Sequence, residues 1–302
     1  MDDLKIKNLS VPTKCIDVVL DTDTYNEIDD QFALAYLLRS TEKLNAKAVY
    51  AAPFFNRKST GPEDGMEKSY EEILRLLKVM KQEVPVFKGA KEYLPDEKTF
   101  VDSPAVNDLI ARSKNYTPDN PLYVVGIGAI TNIASAIIKD PKIINNIVVV
   151  WLGGNAHHYS STYEFNMEQD YAAARVVMKS GVAFVQLPCL GVVDKFYVSR
   201  IEFEKYFLGK SKIADYLASY TISEIDKERE NTMWSKVLWD VTAVGWLLND
   251  NERFMQSRII PVKIPTYEGY YADIFDVPLV NYVYTINRDA LLEDLIKKIT
   301  KQ

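Results

Sequence analysis

Four aspartates fall within ten residues of this chain, in Asp21-Thr22-Asp23-Thr24-Tyr25-Asn26-Glu27-Ile28-Asp29-Asp30. Carboxylates this crowded repel one another, and a hard divalent cation relieves the repulsion while taking oxygen ligands. The apolar run Val18-Val19-Leu20 precedes the acids, and Phe32-Ala33-Leu34-Ala35-Tyr36-Leu37-Leu38 follows them. The acids therefore belong at the C-terminal end of a first strand and in the first turn of a helix, which is where open α/β sheets bind ligands. Asp29 and Asp30 could act only as helix caps or dipole partners. Capping leaves the other two acids unexplained, and the Gly and closing Glu of an EF-hand loop are missing.

Further constellations lie downstream. In Glu164-Phe165-Asn166 the carboxylate and the amide are two residues apart, so on an extended segment they share a face and could grip vicinal hydroxyls. Asp170 reads as the cap of the next helix. Trp239-Asp240 opens another helix, either as a core tryptophan beside a capping acid or as an aromatic ligand contact beside a distant metal carboxylate. His157 and His158 are the only histidines. Being adjacent they point apart, so a solvated loop competes with an acid/base role. A strand followed by Asp21-Thr22-Asp23 also resembles haloacid-dehalogenase-like phosphatases, with Asp21 as nucleophile and magnesium as cofactor. Their later Gly-Asp-x-x-x-Asp is absent.

The elements that must position these residues alternate. Strands are expected at Ile16–Leu20, Ala46–Ala51, Leu122–Val125, Ile147–Trp151 and Ala183–Leu187. Helices are expected at Asp30–Leu38, Ser69–Met80, Ser103–Ala111, Ile133–Ile138, Asp170–Ser180, Lys212–Asp226, Val241–Asn249 and Arg288–Ile299. Continuous Val/Ile/Leu strands imply a sheet covered on both faces, an α/β fold with an open, mostly parallel central sheet flanked by helices. Gly61-Pro62-Glu63-Asp64-Gly65 reads as a surface loop, and the aromatic stretch 267–283 as a hairpin or an interface. One domain over residues 1–302 is expected, without repeats or linkers.

Hydrophobic residues make up 47% of the 302, which supports a large core. With 36 Lys and Arg against 42 Asp and Glu, the net charge of -6 excludes nucleic acid as the main partner. It leaves an uncharged nucleoside possible as a ligand. Cys15 and Cys189 read as buried, reduced thiols. No membrane span is expected, and Met1-Asp2-Asp3-Leu4-Lys5 lacks the apolar segment of a secretory signal, so the expected location is cytoplasmic.

With these residues in hand, the chain resembles the nucleoside hydrolases, calcium-dependent N-ribohydrolases whose opening motif is a strand followed by Asp-x-Asp-x-x-x-Asp-Asp. Asp21-Thr22-Asp23 and Asp29-Asp30 match its two halves. Asn56, Gly128-Ala129-Ile130-Thr131-Asn132, Gly153-Gly154, Glu164-Phe165-Asn166 and Asp240 follow in the family's order. The resemblance implies one Ca2+ held by Asp23, Asp30, Asp240 and the Ile127 carbonyl. It implies Asp23 as the catalytic base, and Asp29, Asn56, Glu164 and Asn166 as sugar contacts. The acid run is two residues longer than the family pattern, which makes Asn26 and Glu27 candidate pocket residues. His158 stands where the family has an asparagine six residues before Glu164. Trp239 stands where pyrimidine-preferring members have histidine, so a purine nucleoside is the expected substrate. A homo-oligomer is also expected. The alternative is a ribosyl-ligand binding protein that keeps the pocket and lacks the chemistry.

Overall fold

A computed structural model describes residues 3–229 and 232–301. Its strands are β1 (Ile16–Thr22), β2 (Leu44–Ala51), β3 (Val86–Lys88), β4 (Leu122–Gly126), β5 (Ile147–Leu152), β6 (Ala183–Leu187), β7 (Tyr197–Ser199), β8 (Ser235–Val237), β9 (Met255–Pro261), β10 (Ile264–Pro265), β11 (Tyr271–Ala272) and β12 (Leu279–Ile286). Eight of them form one sheet in the order β3-β2-β1-β4-β5-β6-β12-β9. Every pairing in it is parallel except β12 with β9. β7 pairs with β8, and β10 with β11, as small antiparallel ribbons.

The alternation of side chains explains the two cores. Val18 and Leu20 of β1 enter one apolar cluster with Phe32, Phe203 and Trp246. Val19 enters the other with Leu109, Ile133 and Trp151. Successive side chains of a strand point to opposite faces, so a run with no polar break requires helices on both sides. All five expected strands and all eight expected helices form, with ends shifted by up to three residues, except that the helix expected at Ser69–Met80 starts at Pro62.

The differences have physical causes. Gly61-Pro62-Glu63-Asp64-Gly65 is not a surface loop: Pro62 opens the helix Pro62–Met80, where a missing N–H costs nothing. Gly65 lies against the Phe54 backbone, and a Cβ there would sit 2.0 Å from the Phe54 carbonyl oxygen. Gly65→Ala is expected to lower stability by about 1–3 kcal/mol, read as a shifted denaturant midpoint at unchanged slope. The aromatic 267–283 stretch supplies β11 and the start of β12, which joins the main sheet beside β6. Cys15 is exposed, with its thiol near the Glu42 carbonyl, while Cys189 is buried and both are free. Met1 and Asp2 of the N-terminal pentapeptide lie outside the described residues. Among the described residues no helix is long and apolar enough to cross a membrane.

Candidate active site

The C-terminal ends of β1, β4, β5 and β6 open into one pocket of about 220 Å³. Asp23 follows β1, Ile127 follows β4, Leu152 ends β5 with Asn155 in the loop after it, and Cys189 and Leu190 follow β6. The helix Ile28–Leu38 contributes Asp29 and Asp30 from its first turn. Trp239 and Asp240 arrive from the segment after β8, and Asn26 and Glu27 from the long acid loop.

Neither acid of the helical turn caps the helix. The N-cap position is Glu27, whose side chain makes no capping bond, and Asp240 caps nothing at the start of its own helix. The carboxylates instead turn inward. Oxygens of Asp29, Asp30 and Asp240 all lie within 4.8 Å of one another. Asp30 accepts from Thr22 Oγ1 at 2.6 Å. Asp23 is 1% exposed, and neither of its oxygens accepts a hydrogen bond from the described residues. Gly128 allows its approach to the β4 loop, since a Cβ there would be 2.9 Å from Asp23 Oδ1. Buried acceptors without donors are costly, so such an arrangement persists where a cation or ligand satisfies it.

Electrostatics agrees with this geometry. Burial pushes all four carboxyls up. For Asp23 and Asp240 the next cause is the charge on Asp30, and both rise well above the ordinary range. Asp30 is pushed up to about 7, by burial and then by Asp29. Asp29 is raised by burial against the opposing pull of Lys236. A hard cation reverses the balance by favouring every ionised form. Oxygen donors of this kind and number fit calcium.

Other expected residues fall in different places. Asn166 lines the pocket and donates to the carbonyls of Ile127, at 3.2 Å, and Leu152, at 3.0 Å. Glu164 lines it too, but as the N-cap of the helix Phe165–Gln169, accepting from the amides of Gly154, Asn166 and Met167. The pair therefore does not share a strand face. Asp170 caps its helix as expected, through Ala173 N. Asn56 is absent from the lining. It donates to Asn26 Oδ1 at 2.6 Å, and Lys58 donates to the Asn26 carbonyl, so the loop after β2 braces the acid loop. His158 lies at a separate cavity with His157, Arg258 and Lys263. Burial, with Lys263 nearby, holds the His157 imidazole down to about 4. Asp21 also stays out of the lining, its carboxylate tied to Asn132 Nδ2 at 2.8 Å, which leaves the phosphohydrolase reading without a nucleophile in the pocket.

Tyr163, Asn155, Cys189 and Lys236 are residues that sequence reasoning missed. Tyr163 has the same exposed aromatic character as many loop tyrosines, and only its place on the pocket wall distinguishes it. Burial, and next the charge of Glu164 nearby, pushes the Cys189 thiol up, a neighbourhood no spacing announces.

The inosine-uridine preferring nucleoside hydrolase model matches residues 18–292. The chain belongs to that family. This nucleoside hydrolase is therefore an enzyme acting on N-glycosyl bonds. Among its curated relatives is the pyrimidine-specific ribonucleoside hydrolase RihA of Salmonella arizonae, 24% identical over 93% of this chain and 97% of the relative. RihA of an Enterobacter species is 23% identical over 94% and 97%. Two solved structures share its fold. A plant nucleoside hydrolase, PpNRh1, has a TM-score of 0.75 at 19% identity over 96% of this chain and 100% of that one. The purine-preferring ribonucleoside hydrolase of Gardnerella vaginalis has 0.73 at 21%, over 94% and 98%.

Proposed function

We propose that this nucleoside hydrolase cleaves the N-glycosidic bond of a ribonucleoside, preferring a purine base, with calcium in its pocket. The Asp23 carboxylate carries the reading: it is buried, receives no hydrogen bond from the described residues and has three further carboxylates around it. In this reading Asp23, Asp30, Asp240 and the Ile127 carbonyl hold the metal, while Asp29, Glu164 and Asn166 face the sugar. Bound calcium supplies positive charge that acidifies a water and grips vicinal hydroxyls.

Asp23 takes the proton of the attacking water. The surrounding carboxylates favour the positive charge that builds on ribose as the bond breaks. Trp239 and Tyr163, both on the pocket wall, offer aromatic faces to the base. Among the described residues no histidine lines the pocket, so the departing base takes its proton from solvent, and stacking holds the protonated ring as it leaves. Asn56 acts through Asn26, and His158 has no part. A cytoplasmic homo-oligomer completes the reading, and sedimentation of the purified chain tests the assembly.

A panel of inosine, guanosine, adenosine, uridine and cytidine with calcium, followed by reducing-sugar release, tests the activity. Inosine or guanosine turnover at least about 10-fold above uridine is expected, the size of a typical pocket discrimination. The curated relatives carry pyrimidine-specific names, so faster uridine turnover would overturn the base assignment alone. No turnover of any nucleoside would overturn the catalytic reading, and ligand binding without sugar release would point to the binding protein.

A further inference from the structure

A single lysine reaches the acid cluster among the described residues that contact it. Lys236 sits in β8, and its Nζ stands 3.5 Å from Asp29 Oδ1. The ammonium also pairs with Glu27 of the acid loop. The Lys236 side chain is only 19% exposed, so this charge is held in place rather than trailing in solvent. Among the described residues Asp29 Oδ1 receives no hydrogen bond, and the Lys236 ammonium is the positive charge that faces it.

Asp29 has two competing claims. One of its oxygens lies within 4.8 Å of oxygens of both Asp30 and Asp240, so a cation at this point could take all three. A divalent cation offset by Asp23, Asp30 and Asp240 already meets three negative charges, and a fourth makes the ligand set more strongly anionic. Attraction between unit charges at this separation, in a partly buried site, is large enough to decide which neighbour a carboxylate keeps. Glu27 also pairs with the ammonium and favours this position for it. Glu27 belongs to the lengthened part of the acid loop, so the added residues supply the anchor.

We propose that Lys236 is a positioning residue that withholds Asp29 from the metal and presents it to the ribose hydroxyls. This rests on the calcium and ribose reading above. Lys236 touches neither substrate nor reacting atom; it acts through Asp29. Without the ammonium, Asp29 turns to the cation, the metal binds more tightly and the sugar loses a partner.

The test is calorimetric titration of the full chain with Ca2+ alone, and then with D-ribose at saturating calcium. Lys236→Met keeps the stem and removes the charge. Its calcium dissociation constant is expected to fall about 10-fold and its ribose dissociation constant to rise about 10-fold, the scale of one nearby charge in a partly buried site. Lys236→Arg should return both toward wild type, and Glu27→Gln should shift both in the direction of Lys236→Met by less. Tighter calcium with unchanged ribose binding would mean general charge removal and overturn the proposal, as would calcium binding that is unchanged or weaker. Wild-type protein that binds calcium and cleaves nucleosides while Lys236→Met behaves identically overturns the lysine role alone. Wild-type protein that binds neither probe overturns the reading beneath it as well.

Discussion

Asp23→Ala is expected to remove turnover by about 1,000-fold or more while the protein remains folded. The substitution takes away the proposed proton acceptor and one metal ligand together, so kcat should fall further than any change in KM explains. Stability should move the other way when calcium is absent. Asp23 is buried, its carboxylate accepts no hydrogen bond from the described residues, and Asp30 repels its ionised form. Deleting it relieves a desolvated charge, so the chelated variant should melt at or above the chelated wild type. Steady-state kinetics on the nucleoside panel and a thermal melt of the same preparation check both halves. Near-normal turnover in Asp23→Ala would remove Asp23 from the base role. A collapsed melt would make it a structural residue.

Removing calcium should abolish activity and also give the protein an inverted dependence of stability on pH. Asp30 is held near 7 and Asp23 and Asp240 well above the ordinary carboxyl range, chiefly by burial and next by neighbouring acids. An acid raised in the folded state binds its proton more tightly there than in the unfolded chain. Its contribution is full below the unfolded value near 4, and it is lost as pH rises through the folded value. The chelated enzyme should therefore lose roughly 5 °C or more of melting temperature between pH 5 and pH 8. Calcium favours the ionised carboxylates, so saturating calcium should flatten or reverse that fall, and calcium affinity should climb over the same interval. Melting temperatures at several pH values, with chelator and with calcium, decide it. A chelated protein that gains stability from pH 5 to pH 8 would refute the electrostatic account of the site.

Much of the architecture is visible in one dimension because its causes are local. Val18-Val19-Leu20, Val124-Val125 and Val148-Val149-Val150 are strands buried on both faces, and an uninterrupted β-branched run states that directly. The acids could be placed at the rim for the same reason, since Asp23 and the helix Ile28–Leu38 follow β1 within a few residues. The antiparallel edge was harder to see. The 267–283 stretch does form one strand of the antiparallel β10–β11 ribbon, but the pairing of β12 with β6 and β9 is long-range and leaves no local mark.

The site divides along the same line. Residue types and order alone determined the α/β class, the crowded acids, the oxygen-rich chemistry and the family's motif order through Asp240. Only the tertiary structure decided which of those residues share a pocket. It drew Asp29 as close to Asp30 and Asp240 as a metal ligand would be, sent Asn56 to brace Asn26, and left His158 at another cavity. It also brought Lys236 to Glu27, 209 positions away, through the placement of the β7–β8 ribbon. The physical reason is that charges act through space. Spacing along a strand or helix reports neighbours a few residues off, whereas the carboxylate and ammonium that set this site's electrostatics meet only once the sheet has closed their distance.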